Sequence, residues 1–132
     1  MKYMLDTNIC IFAIRNKSDK VIRRINASVP SELCISAVTY AELMHGVEKS
    51  SDKERNRLAL LLMLANFTIV DFDTKAACEY GAIRAELEKK GTPIGVLDMM
   101  IAGHARSLGL TLVTNNTKEF TRVSELAVED WT

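Results

Sequence analysis

The chain has 132 residues, 48% of them apolar, enough to bury one sizeable core and too few for two. Seventeen basic side chains balance seventeen acidic ones, which excludes a protein-wide attraction to nucleic acid or to an anionic membrane; any polyanion must be held locally. No basic flank leads into an apolar leader, and no run approaches the roughly 18 apolar residues that a bilayer span requires, so a soluble, unprocessed, cytoplasmic protein without a membrane partner is expected.

Tyr3 to Leu5 is a short apolar run that stops at Asp6, after which Ile9, Phe12 and Ala13 recur at the spacing of one helical face. The reading is strand, turn, helix. Polar residues interrupt the pattern over 16–20. Val21, Ile22 and Ile25 restart a helix with Arg23 and Arg24 on its other side, and Pro30 and Ser31 end it. Leu33 to Ile35 predicts a second strand, and from Ser36 helical spacing returns through Val38, Ala41, Met44 and Val47. After a polar break at 50–53, RLALLLMLANF (57–67) is apolar almost all round, the pattern of a helix buried between other elements. TIVDF (68–72) predicts the third strand.

Asp73 or Thr74 can cap a helix running to about Lys90, with Ala77, Tyr80, Ile83 and Leu87 on one face and Gly91 as its stop. Pro93 and Gly95 mark a turn. DMMIAGHARSLG (98–109) predicts a helix packed through Leu97, Met100, Ile101, Ala105 and Leu108 and closed by Gly109. LTLVT (110–114) is the fourth strand, and LAVEDW (126–131) can add an edge strand. Strands separated by helices of this length need crossover connections. The expected fold is therefore α/β, a single domain over 1–132 with a central parallel sheet of four to five strands flanked by helices. Cys10, Cys34 and Cys78 are widely spaced, lack paired-cysteine metal spacing, and read as small buried thiols in a reducing compartment.

In an open parallel sheet the functional cleft lies at the carboxyl ends of the strands. Asp6 follows the first strand, and Asn115 and Asn116 follow the fourth. Glu42 lies about one and a half turns into the helix after the second strand, and Asp98 opens the helix that precedes the fourth; both can lean over the same edge. Each has a simpler account. Capping alone justifies an aspartate at 6 or at 98. Thr39 and Glu42 have the spacing of a capping box, Asn115 and Asn116 are common turn residues, and Glu119 suits a helix start. His104 has no second histidine at ligand spacing and reads as structural, or at best as a hydrogen-bond donor behind a metal ligand.

The conjunction argues for more than capping. Carboxylates converging on one cleft repel one another unless a cation neutralises them or their pKa values rise. Hard oxygen donors without cysteine or paired histidine suit Mg²⁺ or Mn²⁺. Such a site leaves positions open for phosphate oxygens, which makes phosphodiester hydrolysis the natural chemistry.

The blocks YMLDTNICIF (3–12), CISAVTYAELMHGVEKS (34–50), PIGVLDMMIAGHARSLGLTLVTNN (93–116) and TKEF (117–120), in this order and at this spacing, resemble the PIN-domain ribonucleases. Among these the chain is similar to the VapC toxins of bacterial toxin–antitoxin pairs, over nearly its whole length. The resemblance implies a PIN-like three-layer sandwich, Mg²⁺- or Mn²⁺-dependent endoribonuclease activity and a homodimer. It also implies inhibition by a cognate VapB antitoxin whose C-terminal segment wraps over the cleft. Position by position, it makes Asp6 and Asp98 the principal metal-binding aspartates and Glu42 the acid on the helix after the second strand. Thr7 and Asn8 become the polar pair that supports the first aspartate. The family often has a further aspartate where this chain reads Thr114, Asn115, Asn116. Asparagine offers only a neutral oxygen, so one firmly held metal is expected, with Glu119 replacing that aspartate directly or through water. The expected catalytic set is Asp6, Glu42, Asp98 and Glu119, with Asn115 and Asn116 in support.

Substrate grip is expected from Arg15, Lys17, Lys20, Arg23 and Arg24 around the first helical region, or from Arg84, Lys89 and Lys90; on solvated faces such residues are commonly only solubilising. With 1 Trp, 3 Tyr and 4 Phe, few aromatics are free for base stacking, which favours a structured RNA read by shape. Related enteric toxins point to initiator tRNA, cut in its anticodon loop. The apolar 57–67 stretch is also a candidate surface for another protein. Two other classes stay open. A phosphoacceptor receiver domain needs paired acids after its first strand and a lysine after its fifth; here Asp6 stands alone, Asp71 or Asp73 would serve as acceptor, and no matching lysine is present. A PIN-like binding module without catalysis draws its best support from Asn116.

Overall fold

The computed structural model describes all 132 residues. β1 (Tyr3–Leu5) passes through Asp6 into α1 (Thr7–Ile14), and α2 (Asp19–Ala27) starts from the Ser18 cap. A 3₁₀ turn at Pro30–Glu32 leads into β2 (Leu33–Ser36), which continues directly as α3 (Ala37–Glu48). α4 (Lys53–Leu64), β3 (Thr68–Val70) and α5 (Thr74–Lys89) follow. α6 (Val96–Ser107), β4 (Thr111–Val113), α7 (Thr117–Phe120) and β5 (Val128–Glu129) complete the chain. Asp73 is the cap of α5, its Oδ1 accepting from the Ala76 N–H at 3.0 Å. Gly91 and Gly109 take φ of 70° and 66° where α5 and α6 end, a left-handed turn that glycine adopts without steric cost.

All five strands are parallel, in the order β3-β2-β1-β4-β5. The chain winds outward from β1 to β3, then returns past β1 to β4 and β5, so the winding direction reverses between β1 and β4. Such a reversal opens a crevice at the carboxyl edge of the sheet. Leu5 is in register with Val113, and the Asp6 N–H donates to the Val113 carbonyl at 3.0 Å, which sets the two strand exits side by side. The order also differs from the 2-1-3-4-5 arrangement of receiver-type domains, so the receiver reading falls.

Strand side chains alternate between the faces. Met4, Cys34 and Leu112 join a core with Ile83, Met99 and Ile101 beneath α5 and α6. Tyr3, Leu5, Ile35 and Val113 join the opposite core with Ile9, Leu43 and Leu60. This is the period of two expected of strands buried on both faces, and it makes the fold a three-layer sandwich. α5 and α6 approach so closely at Gly103 that a Cβ there would lie 2.7 Å from the Tyr80 backbone nitrogen.

Several expectations are corrected. α4 is not buried between elements: Leu60 is 1% exposed, but Leu58, Leu61 and Leu62 lie open, Leu62 to 65%. An apolar pattern all round a helix does not specify how many sides are covered. Cys78 is exposed, unlike Cys10 and Cys34, because two residues beyond buried Ala76 a helix has turned about 200°. α6 begins at Val96 with Gly95 as its cap, so Asp98 sits inside the first turn and caps nothing. Leu97 and Leu108, expected in the packing of α6, are exposed. No capping box forms between Thr39 and Glu42, because Ser36 caps α3 by accepting from the Val38 N–H at 3.0 Å.

Candidate active site

Asp6 is the junction of β1 and α1. Its Oδ1 caps α1 by accepting from the Ile9 N–H at 2.9 Å, leaving the second oxygen uncommitted to the helix. The residue is only 4% exposed. Burial therefore raises its pKa from the ordinary aspartate value to about 6, against hydrogen bonds from Thr114 and Ile9 that lower it; the charges of Asp98 and Glu42 raise it further.

Glu42 reaches the same place from α3, and Thr7, the first residue of α1, donates its hydroxyl to Glu42 Oε1 at 2.7 Å. The Thr39 hydroxyl lies 3.3 Å from Thr7 Oγ1, so a chain of short polar side chains links α1 to α3. Asp98 approaches from the first turn of α6, with its pKa raised by burial and then by the charges of Glu42 and Glu119. Three carboxylates from three segments thus share one electrostatic environment, which lifts the pKa of both aspartates. Burial first and neighbouring acids second raise both, the pattern of a site that lacks compensating positive charge.

Asp6, Thr7, Asn8, Glu42 and Asp98 all line one cleft of about 450 Å³. Glu119 and Asn116 do not line it; they stand beside it, with Asn116 Nδ2 donating to Glu119 Oε2 at 2.9 Å. Asn115 is exposed and lies outside the cleft lining. The far end of the cleft is basic, with Arg15 at the end of α1 and His45 and Lys49 on α3, and neither Arg15 nor Lys49 forms a salt bridge. Sequence reading missed His45 and Lys49. Their signal was present, since positions 42, 45 and 49 follow the i, i+3, i+7 spacing of one helix face.

Three of the other expected cations are already engaged, while Lys17, Lys20 and Lys89 form no salt bridge and do not line the cleft. Arg24 pairs with Glu129 at 3.5 Å and stacks over Trp131 at 4.7 Å. Arg84 and Lys90 pair with Glu88 and Glu86 at 3.6 and 2.8 Å.

The donor set fits a hydrated Mg²⁺ or Mn²⁺ better than a metal caged by protein alone. No three His, Cys, Asp or Glu side chains are gathered closely enough to chelate an ion by themselves. Mg²⁺ retains several waters and takes one or two carboxylates plus substrate phosphate oxygens, which is what Asp6, Asp98 and the open cleft between them offer.

The PIN domain family model matches residues 3–126. The "tRNA(fMet)-specific endonuclease VapC" of Shigella flexneri is 51% identical over 131 residues, covering 99% of this chain and 98% of the relative. The protein of the same name from Salmonella typhimurium is 49% identical at the same coverage. Among solved structures, DNA-bound VapBC from Salmonella typhimurium superposes with a TM-score of 0.95 at 48% identity, covering 100% of this chain and 99% of that one. VapBC2 from Rickettsia felis bound to a promoter DNA fragment gives 0.94 at 42%, with both chains fully covered. With a shared fold, near-complete coverage and half of its residues in common with these relatives, the chain belongs to the VapC family of PIN-domain proteins.

Proposed function

We propose that this protein is the toxin of a VapBC-type toxin–antitoxin pair, a Mg²⁺-dependent (or Mn²⁺-dependent) endoribonuclease acting as a single PIN domain in the cytoplasm. Initiator tRNA, cut in the anticodon loop, is the proposed substrate. The observation that carries the reading is the convergence of Asp6, Glu42 and Asp98 on one cleft at the topological switch.

Asp6 and Asp98 are the residues that would hold the metal. Bound there, the ion would polarise the scissile phosphate and lower the pKa of an attacking water. Glu42, fixed through one oxygen by Thr7, has its other oxygen free to orient that water and take its proton. Glu119, held by Asn116 beside the cleft, adds negative charge next to Asp98 and is the residue proposed to act, directly or through water, in place of the family's additional aspartate. Asn8 offers an amide at the cleft wall, and Asn115 supports the neighbouring turn. Arg15 and Lys49 give the flanking phosphates a local positive field on a chain whose formal net charge is zero.

The partner proposed is a VapB-type antitoxin bound to a homodimer of this chain. Its support is the assembly state of the structural relatives, VapBC complexes, together with the exposed Leu58, Leu61 and Leu62 of α4. An antitoxin segment entering the cleft would set a basic side chain among the acids.

The test is cleavage of 5′-labelled initiator tRNA by purified protein, with Mg²⁺ and with excess EDTA. A single cut in the anticodon loop, abolished by EDTA and by Asp98→Asn, is expected. Scattered cuts in mRNA with intact tRNA would refute the substrate. Metal binding without cleavage of any RNA would leave a binding module instead of an enzyme.

A further inference from the structure

We propose that His104 and Ser36 form a positioning pair that sets the separation of α6, and with it Asp98, from α3, and with it Glu42. The inference rests on the nuclease reading above.

Ser36 is the last residue of β2 and the cap of α3. Its Oγ accepts from the Val38 N–H at 3.0 Å and lies 2.7 Å from His104 Nδ1. Both residues are buried, His104 to 1% exposure. A serine hydroxyl carries one proton. With Val38 donating to one lone pair of the oxygen, the hydroxyl proton and the second lone pair remain, and either one makes the bond to Nδ1. Phe72, two residues beyond β3, meets the ring edge-on at 5.4 Å. Burial in addition disfavours the charged ring.

One imidazole on the last turn of α6 therefore bonds the β2–α3 junction and packs against Phe72 beyond β3. The core shared by α3 and α6 is apolar, with Val38 in the same cluster as Met99, Ala102 and Ala105. Apolar contact is non-directional and tolerates sliding along a helix axis; a buried hydrogen bond has a preferred length and angle and does not. Glu42 lies six residues after Ser36 and Asp98 six before His104, about 9 Å of helix in each case. A shift at the pair is carried to both carboxylates by rigid helix. Packing alone would be served by an apolar residue at position 104. A buried polar pair is retained at the cost of desolvation, which these hydrogen bonds offset.

The experiment compares wild type with His104→Phe, which keeps a ring and removes the hydrogen-bonding nitrogen, and with His104→Asn, which restores a hydrogen-bonding group near the position of Nδ1. Each is measured for Mn²⁺ affinity by calorimetry without RNA and for RNA cleavage at saturating Mn²⁺. The expected result is about a tenfold loss of both in His104→Phe, with most of it recovered in His104→Asn. A folded His104→Phe with wild-type affinity and cleavage overturns the proposal, as does His104→Asn impaired to the same degree as His104→Phe. Where His104→Phe does not fold, nitrogen NMR of the wild-type imidazole decides: an Nδ1 resonance shifted by hydrogen bonding supports the pair, and an Nδ1 with the shift of a free imidazole nitrogen overturns it. Wild-type protein that binds Mn²⁺ and cuts no RNA defeats the nuclease reading instead, and the Mn²⁺ affinities still test the pair.

Discussion

The Thr7 hydroxyl donates to Glu42 Oε1 at 2.7 Å across 35 positions of sequence, joining the first turn of α1 to the middle of α3 at the point where Asp6 enters the cleft. This bond orients a carboxylate that is too far along its own helix to be held by the α3 cap. Thr7→Val keeps the β-branched shape and removes the donor. It should lower RNA cleavage about tenfold, while Thr7→Ser stays near wild type. Equal rates in Thr7→Val and wild type, measured on labelled tRNA at fixed Mg²⁺, would show that Glu42 needs no such anchor.

Asp6 makes the metal-free protein sensitive to pH in a defined direction. Its pKa is raised to about 6 in the folded state from 3.8, so its contribution to stability is fully present below the lower value and is lost as pH rises through the higher one. Between pH 4 and pH 7 the loss is about 2.4 kcal/mol, most of what the whole shift represents at 1.36 kcal/mol per pKa unit, because the unfolded aspartate is already more than half ionised at pH 4. Asp6→Asn, which retains an acceptor for the Ile9 N–H, should accordingly stabilise the metal-free protein at pH 7.5, with the gain shrinking towards pH 4. Urea denaturation in EDTA at both pH values measures this; destabilisation at pH 7.5 would contradict it.

Gly103 offers a test of sign. On helix propensity alone, alanine inside α6 would stabilise by about 1 kcal/mol. The 2.7 Å approach to the Tyr80 nitrogen involves backbone that has no side-chain torsion with which to retreat. Gly103→Ala should therefore destabilise by about 1–3 kcal/mol, read as a lower urea midpoint with an unchanged slope. A rise in the midpoint would mean that α5 and α6 can separate at little cost.

Two leucines of α4 should behave in opposite ways. Leu60 is 1% exposed and Leu62 is 65% exposed, so Leu60→Ala should cost about 2–5 kcal/mol by leaving a cavity. Leu62→Asp should change stability by no more than about 0.5 kcal/mol and weaken capture of the co-expressed antitoxin. Antitoxin retained in full by Leu62→Asp would place the interface elsewhere.

The acids at 6, 42 and 98 were legible from sequence because each sits at a definable place on a strand–helix frame: after β1, inside the helix after β2, and in the first turn before β4. Their partners were less so. Thr39 and Glu42 have capping-box spacing, yet the structure gives the cap to Ser36 and the glutamate to Thr7, because a long-range donor offers Glu42 a bond that local spacing cannot reveal. His45 and Lys49 belong to the same helix face as Glu42, but whether that face meets solvent or a cleft depends on α1 lying beside it. Asp98 looked like a cap because apolar periodicity was read from position 98; the helix starts at Val96, where glycine leaves the end without a side-chain cap.

By itself the sequence determined what is decided within a turn or two: the inner strands β1, β2 and β4 as buried apolar runs, the caps at Asp6 and Asp73, the stops at Gly91 and Gly109, and acids at strand exits. These depend on backbone sterics, hydrogen-bond valence and the 2.0 and 3.6 periods, which act over a few residues. The tertiary structure alone decided that the winding reverses between β1 and β4, that Thr7 rather than a cap holds Glu42, that His104 bonds Ser36, and that three leucines of α4 stay uncovered. Each of these depends on which distant segment becomes a neighbour, and that follows from sheet order and the packing of whole helices, not from the chemistry of any one stretch.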